Sequence, residues 1–438
     1  MTAPITLARV ADRWAAGPAA AADELDQLVY LSNIIGQEPR LVQPGGGNTS
    51  LKLGDTLVVK GSGTDLRTIG REQFTHLSLP ALAALRTAET MLDAEMMRFM
   101  TSCMVRAGGP PPSVETPLHS LLPHRVIAHT HDVATMSLTN VSDAVAERLV
   151  AQLFGGRIVY VPYVRPGFPL ARAVRDMAEL LPPEAIGLAL AHHGLMVWAD
   201  DARECYARLV RAVNVIEDYA ATRRRASATG FAPIPIPPAE VRRRCAEVVL
   251  PVVRGVLGSP SRVILHFDDD DVVLSALAAS GMATRAARGM ATPEHILRAG
   301  RRPAWLDIDP SATPEAMAVA IRDQLGRQRA EYEAYHARHA PPNAPPLDDW
   351  AKVVLAPGLG MITASRDKRG AVTAGLCYRA VLEAMANADA IDTFQFISEA
   401  DVFEFEHWPL ERRKLDEQDA RERATLLLPR HVAIVIGA

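Results

Sequence analysis

The chain has 438 residues, of which 48% are hydrophobic and 22% charged, and its formal net charge at pH 7 is −4. This composition is typical of a globular protein with a large core, and the small net charge gives no reason to expect nucleic acid or a membrane surface as a partner. No apolar run approaches the roughly 18 residues that span a bilayer, the charged N-terminus is not typical of a signal peptide, and four scattered cysteines favour a reduced, cytoplasmic protein.

Hydrophobic periodicity predicts alternating helices and strands in the first half of the chain. Helices are predicted over 24–36, 84–106 and 202–222, and strands over 51–53, 56–60, 126–131, 157–161 and 186–191. A glycine-rich turn at 44–50 separates the first helix from the first strand. The Pro-rich stretch 226–239 predicts a linker, so that the first domain is predicted to span 1–225.

The second half of the chain predicts two further α/β regions, over 240–340 and over 341–438. Its helices are predicted over 239–257 and 371–387, a strand over 262–267, and a strand followed by a glycine turn over 353–361. A Pro-rich break separates the two regions at 341–346. The acidic run Asp268–Asp271 is interpreted as a solvated strand end or a helix cap rather than a metal site.

The last seven residues, Val432–Ala438, predict a short apolar strand that enters a Gly-Ala turn. A Rossmann domain begins in this way, although a terminal strand that completes a sheet has the same pattern. The remaining glycines and the acidic residue of a dinucleotide fingerprint are missing. We therefore expect this chain alone not to bind NAD.

Histidines carry most of the functional information. His129 and His131 form a His-x-His on a predicted strand, where alternation directs both rings to the same face. Another histidine pair, His192 and His193, follows a distant apolar strand. Three imidazoles around a divalent metal with one open position are the usual arrangement of a catalytic zinc.

Two other patterns accompany the histidines. Glu115 lies shortly before the His-x-His, and a carboxylate beside a divalent cation can act as general acid or base. The turns 45–50 and 60–64 combine glycine with Ser, Thr and Asn. Such turns expose backbone N–H groups and hydroxyls, which suit a phosphate dianion.

Taken in order, these motifs resemble the class II aldolase/adducin family. The matching elements are Gly46-Gly47-Asn48-Thr49-Ser50, Lys60-Gly61-Ser62-Gly63, Ser113-Val114-Glu115, His129-Thr130-His131 and His192-His193-Gly194-Leu195. They cover about residues 24–222 and are most similar to aldolases of fuculose 1-phosphate and rhamnulose 1-phosphate. Stretches beyond residue 240, such as Phe403–Glu411, resemble bifunctional rhamnulose-phosphate aldolase/short-chain dehydrogenase proteins.

The resemblance implies a three-layer α-β-α fold with a mainly antiparallel sheet, assembled as a homotetramer. It also implies a lyase of carbohydrate metabolism, a Zn²⁺-dependent aldolase that reversibly cleaves a ketose 1-phosphate to dihydroxyacetone phosphate and an aldehyde. The implied roles are Zn²⁺ or another divalent metal on His129, His131 and His193, acid/base catalysis by Glu115, and phosphate binding by Gly47, Asn48, Ser62, Gly63 and Ser113.

Three points stay open at this stage. Val114 stands where the simpler aldolases often have a second hydroxyl residue, which weakens the case for a phosphorylated substrate. The second base of the family is a tyrosine, and Tyr160 and Tyr163 lie in a plausible region for it, but the sequence does not assign the role to either. A dehydratase of the methylthioribulose 1-phosphate type, a decarboxylase, a non-enzymatic adducin-like module and an NAD-linked dehydrogenase are the competing functions.

Overall fold

A computed structural model describes residues 9–14, 23–106, 108–227, 234–413, 416 and 420 of the chain. These residues form two units. The first unit contains the described residues up to 227 together with 383–395, and the second contains 234–382 and the described residues from 396 onward. The predicted domain boundaries do not include the return of 383–395 to the first unit. The predicted terminal strand 432–438 and residues 228–233 of the predicted linker lie outside the described residues.

The first unit is built on a seven-stranded sheet. Its strands are β1 Asn48–Leu53, β2 Thr56–Lys60, β3 Phe74–Ser78, β4 Val126–Thr130, β5 Ile158–Val161, β6 Gly187–Leu190 and β7 Gly194–Ala199. They lie in the order β3-β2-β1-β4-β7-β6-β5. Every neighbouring pair is antiparallel except β5 with β6. The predicted α/β fold with a mainly antiparallel sheet is confirmed.

Eight helices accompany this sheet in the described part of the unit. They are α1 Glu24–Gly36, α2 Leu79–Leu82, α3 Asp93–Ser102, α4 Thr116–Leu121, α5 Val133–Thr139, α6 Asp143–Phe154, α7 Phe168–Ala178 and α8 Ala202–Ser227. The predicted helix 24–36 is confirmed to the residue. Asp23 caps it by accepting a hydrogen bond from the Asp26 N–H, and the buried residues Leu28, Leu31 and Ile35 recur at helical spacing.

The predicted helix 84–106 is wrong over half its length. The chain forms a single 3-10 turn at Ala83–Arg86, and α3 begins only at Asp93. Leu92, which a continuous helix would place within an apolar stripe, is largely exposed. The Leu92 backbone N–H donates a hydrogen bond to the Glu95 carboxylate, and this bond caps the N-terminus of α3.

The second unit has a four-stranded sheet in the order β8-β11-β10-β9. Its strands are β8 Ile264–Asp268, β9 Ala304–Trp305, β10 Val353–Ala356 and β11 Gly360–Ser365. Its helices are α9 Ala239–Leu257, α10 Asp271–Leu277, α11 Met282–Ala286, α12 Pro293–Ala299, α13 Pro314–His339, α14 Lys368–Ile391, whose last residues belong to the first unit, and α15 Glu399–Glu406.

Two details of this unit follow from side-chain hydrogen bonding. Asp268 ends β8 and accepts two hydrogen bonds from Arg379, while Asp270 caps α10 by accepting from the Val273 N–H. The acidic run is therefore a strand end and a helix cap, as predicted, but the strand end is not solvated, because the Asp268 side chain is 10% exposed and paired with Arg379. Gln324 and Gln328 pair with the backbone at Trp305 and Asp307, so that side chains occupy the outer edge of β9.

The turn 357–359 joins β10 to β11 in an antiparallel hairpin, with Ala356 opposite Gly360. A dinucleotide site needs a strand that runs through a glycine-rich turn into a helix. The turn 357–359 instead leads into the strand β11, and not into the helix that a dinucleotide site needs. In the part of the chain that the structure describes, no helix is both long and apolar enough to cross a membrane.

Candidate metal centre and its hydrogen-bond network

One edge of the seven-stranded sheet collects the motifs. Because neighbouring strands are antiparallel, β1 and β7 begin at the edge where β2, β4 and β6 end. Asn48 begins β1 opposite His129 on β4, and Thr130 lies opposite Leu195 near the start of β7. Segments that are distant in sequence therefore deliver their polar side chains to one place.

The three predicted histidines meet there. The ring centroids of His129, His131 and His193 lie 4.8–5.0 Å from one another. All three residues are buried. The His129 Nδ1–H donates to the Leu195 carbonyl oxygen at 3.1 Å, so its Nε2 carries the lone pair and lies 3.4 Å from the His193 Nε2. Burial lowers the pKa of His129 to about 4, against the opposing effect of Glu115.

The His-His-Gly sequence has a steric reason. β6 and β7 form a hairpin with Leu190 opposite Gly194, and His192 turns the corner with a left-handed φ of 52°. A Cβ on Gly194 would lie 1.9 Å from the Thr130 carbonyl oxygen, so only glycine allows β7 to begin against β4. This close approach places His193 beside the His-x-His. His192, by contrast, lies against the ring of Tyr163, with the centroids 6.0 Å apart.

Glu115 completes the cluster. It immediately precedes α4, where its backbone N–H lies 3.4 Å from the Ser113 hydroxyl. Its Oε1 lies 3.0 Å from the His193 Nε2 and 3.7 Å from the His129 Nε2. Burial raises the pKa of this carboxyl, but His129 and the other imidazoles outweigh burial and hold the pKa well below its usual range.

The second oxygen of Glu115 enters a chain of hydrogen bonds. The Asn48 side-chain N–H₂ donates to Oε2 at 2.5 Å, and the Asn48 Oδ1 is hydrogen-bonded to the His119 Nε2. The His119 Nδ1 lies 2.7 Å from the Ser50 hydroxyl. Burial lowers the pKa of His119 to about 3, so its ring is neutral.

The sequence analysis did not single out His119. His119 follows Glu115 by four residues, and because Glu115 is the residue that immediately precedes α4, the helix places the two side chains on the same side. Asn48 and Ser50 likewise alternate on one face of β1. Asn48, predicted to bind phosphate, directs its side chain to Glu115.

Lys52 contacts the backbone next to this hydrogen-bond network. Its Nζ donates to the carbonyl oxygens of His119 at 2.8 Å and His124 at 2.6 Å. Burial, assisted by the charge of Arg86, lowers the pKa of Lys52 to about 7. The folded protein therefore releases the Lys52 proton at a pH where the unfolded chain, with a lysine pKa of about 10.4, still holds it.

This shift predicts a pH dependence of stability. Between pH 7 and about 10 the unfolded chain binds more protons at this site, so the site adds up to about 1.4 kcal/mol per pH unit to the free energy of unfolding as the pH rises. Lys52→Met lacks this contribution. Chemical denaturation of both proteins at pH 7, 8 and 9 should therefore show the wild type gaining on the variant, whereas a constant difference would contradict the buried, easily deprotonated lysine.

The predicted phosphate-binding residues lie on three segments. Ser62 donates its backbone N–H to the Pro111 carbonyl oxygen at 2.8 Å, which joins the loop after β2 to the segment before Glu115. The Ser113 backbone N–H lies 3.0 Å from the Thr116 hydroxyl. Gly63 has a φ of 76° and open space where a Cβ would stand. Gly47 has a φ of 68°, and its Cβ would lie 2.7 Å from the His129 carbonyl oxygen.

The two candidate tyrosines differ in their surroundings. The Tyr160 hydroxyl donates to the Asp143 carboxylate at 2.6 Å, and burial together with Asp143 raises the pKa of this phenol. Its proton is therefore held by Asp143. Tyr163 is half-buried beside His192.

The four clustered side chains fit a divalent metal. One ligand atom from each of Glu115, His129, His131 and His193 lies within 4.8 Å of all the others. Neutral imidazole and carboxylate are the ligands that zinc and related metals prefer in catalytic sites. The Leu195 carbonyl fixes the tautomer of His129 in the way that partners of metal-binding histidines do.

Two family models match the chain. The model described as the class II aldolase and adducin N-terminal domain matches residues 26–220, and the model described as the second domain of class II aldolase matches residues 244–415. A curated relative, the uncharacterized oxidoreductase YuxG of Bacillus subtilis strain 168, is 30% identical over 405 residues. The match covers 89% of this chain and 58% of that protein, so the chain spans less than two thirds of its relative.

Solved structures match about half of the chain. The N-terminal class II aldolase domain of a conserved protein from Thermoplasma acidophilum is 34% identical, with a TM-score of 0.44, over 48% of this chain and 99% of that one. The L-fuculose-1-phosphate aldolase of Thermus thermophilus is 16% identical, with a TM-score of 0.33, over 47% of this chain and 99% of that one.

Proposed function

Because this chain belongs to the class II aldolase and adducin family, we propose that it is a Zn²⁺-dependent aldolase. Its reaction is the reversible retro-aldol cleavage of a ketose 1-phosphate, of the rhamnulose or fuculose type, to dihydroxyacetone phosphate and an aldehyde. The observation that carries the proposal is the buried cluster of Glu115 with His129, His131 and His193. A non-enzymatic module has no need of such a cluster.

The residues of the cluster are proposed to have two different roles, metal binding and proton transfer. His129, His131 and His193 would hold the divalent metal, with Glu115 beside them. When bound, the metal supplies Lewis-acid stabilisation of negative charge on the substrate's oxygens. During cleavage the C3–C4 bond breaks and its electron pair stays with C3, while a second base, a side chain or a water molecule, takes the proton of the C4 hydroxyl and C4 leaves as the aldehyde.

Glu115 would transfer the proton at carbon. In the cleavage direction it takes up a proton that replaces the one released by the C4 hydroxyl and delivers it to C3 of the three-carbon fragment, and in the synthetic direction it removes that proton. Its Oε2 is occupied by Asn48, so Oε1, which faces His193, is the oxygen placed for this transfer. Gly47, Ser62, Gly63 and Ser113 are proposed to bind the substrate phosphate through hydroxyl and backbone groups.

Metal analysis combined with a substrate screen tests this proposal. The purified protein, loaded with Zn²⁺, is incubated with a panel of ketose 1-phosphates that differ in configuration at C3 and C4. Release of dihydroxyacetone phosphate is followed with a coupled reductase. We expect one divalent ion per chain and cleavage of at least one member of the panel, abolished by a chelator and restored by Zn²⁺.

Other products would point to the competing reactions. Loss of water from a ketose 1-phosphate without carbon–carbon cleavage would favour a dehydratase, and release of CO₂ from a sugar-acid phosphate a decarboxylase. Neither outcome is compatible with the aldolase proposal. A protein that binds no metal and alters no sugar phosphate would support the adducin-like alternative.

A further inference from the structure

We infer that His119 is a positioning residue, which holds the Glu115 carboxylate in a single orientation through Asn48. The ring nitrogens of His119 are hydrogen-bonded to Ser50 and Asn48, and not to the three clustered imidazoles. The inference concerns the hydrogen-bond chain itself, and only its expected effect on turnover rests on the proposed function.

The Glu115 carboxylate determines which group donates and which accepts in each hydrogen bond that links it, through Asn48 and His119, to Ser50. An ionised carboxylate only accepts hydrogen bonds, so Asn48 must present its N–H₂ to Glu115. The Asn48 Oδ1 is then directed at His119 and accepts from its Nε2–H. The His119 Nδ1 is left with a lone pair, to which the Ser50 hydroxyl donates.

Because these side chains are buried, this assignment of donors and acceptors is strongly favoured over the alternatives. His119 and Ser50 are fully buried, and Asn48 is 3% exposed. A reversed amide would set the Asn48 Oδ1 against the carboxylate, and its N–H₂ against the Nε2–H of His119. Buried polar groups that lose their partners cost about 1–3 kcal/mol each, so the alternative arrangements are poorly populated.

The backbone positions both sides of this hydrogen-bond chain, on α4 and on β1. His119 lies one helical turn after Glu115 on α4, and Lys52 holds its carbonyl oxygen at 2.8 Å. Asn48 and Ser50 lie two residues apart on β1, between β2 and β4. The ring of His119 therefore bridges a helix and a strand, and Glu115 has one oxygen engaged and the other directed to His193.

The tautomer of His119 is a direct test that needs no reaction. Zn²⁺-loaded protein labelled with ¹⁵N-histidine is studied by long-range ¹H–¹⁵N correlation, which distinguishes protonated from unprotonated ring nitrogens. The signals of His119 are identified as those missing in His119→Gln. We expect a neutral ring with the proton on Nε2 in the wild type, and loss of this fixed tautomer in Asn48→Ala. A proton on Nδ1, or signals that Asn48→Ala leaves unchanged, would overturn the inference.

Two substitutions of His119 test the effect on turnover. The amide nitrogen of glutamine can take the place of the imidazole Nε2, so His119→Gln keeps a donor for Asn48, whereas asparagine is one methylene too short. A displacement of a catalytic group by about 1 Å costs on the order of 10²-fold. We expect His119→Asn to lower kcat by roughly 10–10²-fold at nearly unchanged KM and zinc content, and His119→Gln to retain most of the activity.

His124→Asn is the matched control. His124 stacks on Trp198 with the ring centroids 4.3 Å apart, and its side chain lies outside the chain of hydrogen bonds. It should keep wild-type kcat. Equal losses in His119→Gln and His119→Asn, or a rise in KM alone, would indicate a merely structural role and overturn the inference. A wild type that cleaves no ketose 1-phosphate refutes the proposed function instead, and the tautomer measurement still decides the inference.

Discussion

Glu115→Gln is expected to lower turnover of the cleaved ketose 1-phosphate by about 10²–10⁴-fold, the usual contribution of a general acid or base. The amide is nearly isosteric with the carboxylate but cannot carry the proton. The hydrogen-bond chain also fixes its orientation, because the N–H₂ of Asn48 at 2.5 Å requires an oxygen from residue 115. The amide N–H₂ then faces His193, where the wild type has Oε1.

Metal content and turnover must be measured on the same preparation. We expect close to one divalent ion per chain in Glu115→Gln, since the three imidazoles are unchanged. Glu147→Gln, an exposed position on α6, controls for the loss of one negative charge and should match the wild type. Full activity of Glu115→Gln would remove this residue from the mechanism, and loss of the metal would assign it to binding instead of proton transfer.

The site was predictable because its motifs are local. A His-x-His on a strand and a histidine pair after an apolar strand need only period-2 alternation and a turn to become meaningful. The three histidines and Glu115, selected from sequence, lie together in the structure. Their meeting at one sheet edge depends on strand order, which no local pattern contains, so the resemblance to a family supplied that step.

The hydrogen-bond chain behind the site was not predicted. Ser50 and His119 are ordinary residues by type, and their importance depends on a helix and a strand facing each other across 69 positions of sequence. The same limit explains β7, which was not predicted as a strand. All six of its residues are buried, and a strand buried on both faces shows no alternation from which to recognise it.

Long-range return of the chain was also beyond sequence patterns. Residues 383–395 belong to the first unit, where Glu383 accepts from Arg40 at 2.9 Å and Asn387 donates to Ser137 at 3.0 Å. The helix that carries Glu383 and Asn387 was predicted, but helical periodicity identifies an apolar face without identifying what it packs against. Boundaries drawn from composition are linear and cannot express such a return.

Adjacent histidines offer the sharpest test of the metal centre. We expect His193→Ala to lose most of its bound metal and essentially all turnover, and His192→Ala to keep its metal. The two residues are neighbours in one buried turn, but only His193 directs a ring nitrogen to Glu115 and His129. His192 occupies the left-handed corner with a φ of 52°, a conformation that histidine adopts more readily than alanine, so His192→Ala is expected to lose some stability but not its metal.

Metal is quantified by elemental analysis after dialysis against metal-free buffer, and then by titration with Zn²⁺. His129→Ala should behave like His193→Ala, because the Nε2 atoms of the two rings lie 3.4 Å apart. Thermal unfolding of each variant without metal distinguishes loss of a metal-binding side chain from loss of the fold. Added Zn²⁺ should raise the melting temperature of the wild type and His192→Ala only, because a bound metal stabilises the folded state that binds it. Equal metal content in all four proteins would refute the assignment of this cluster as the metal centre.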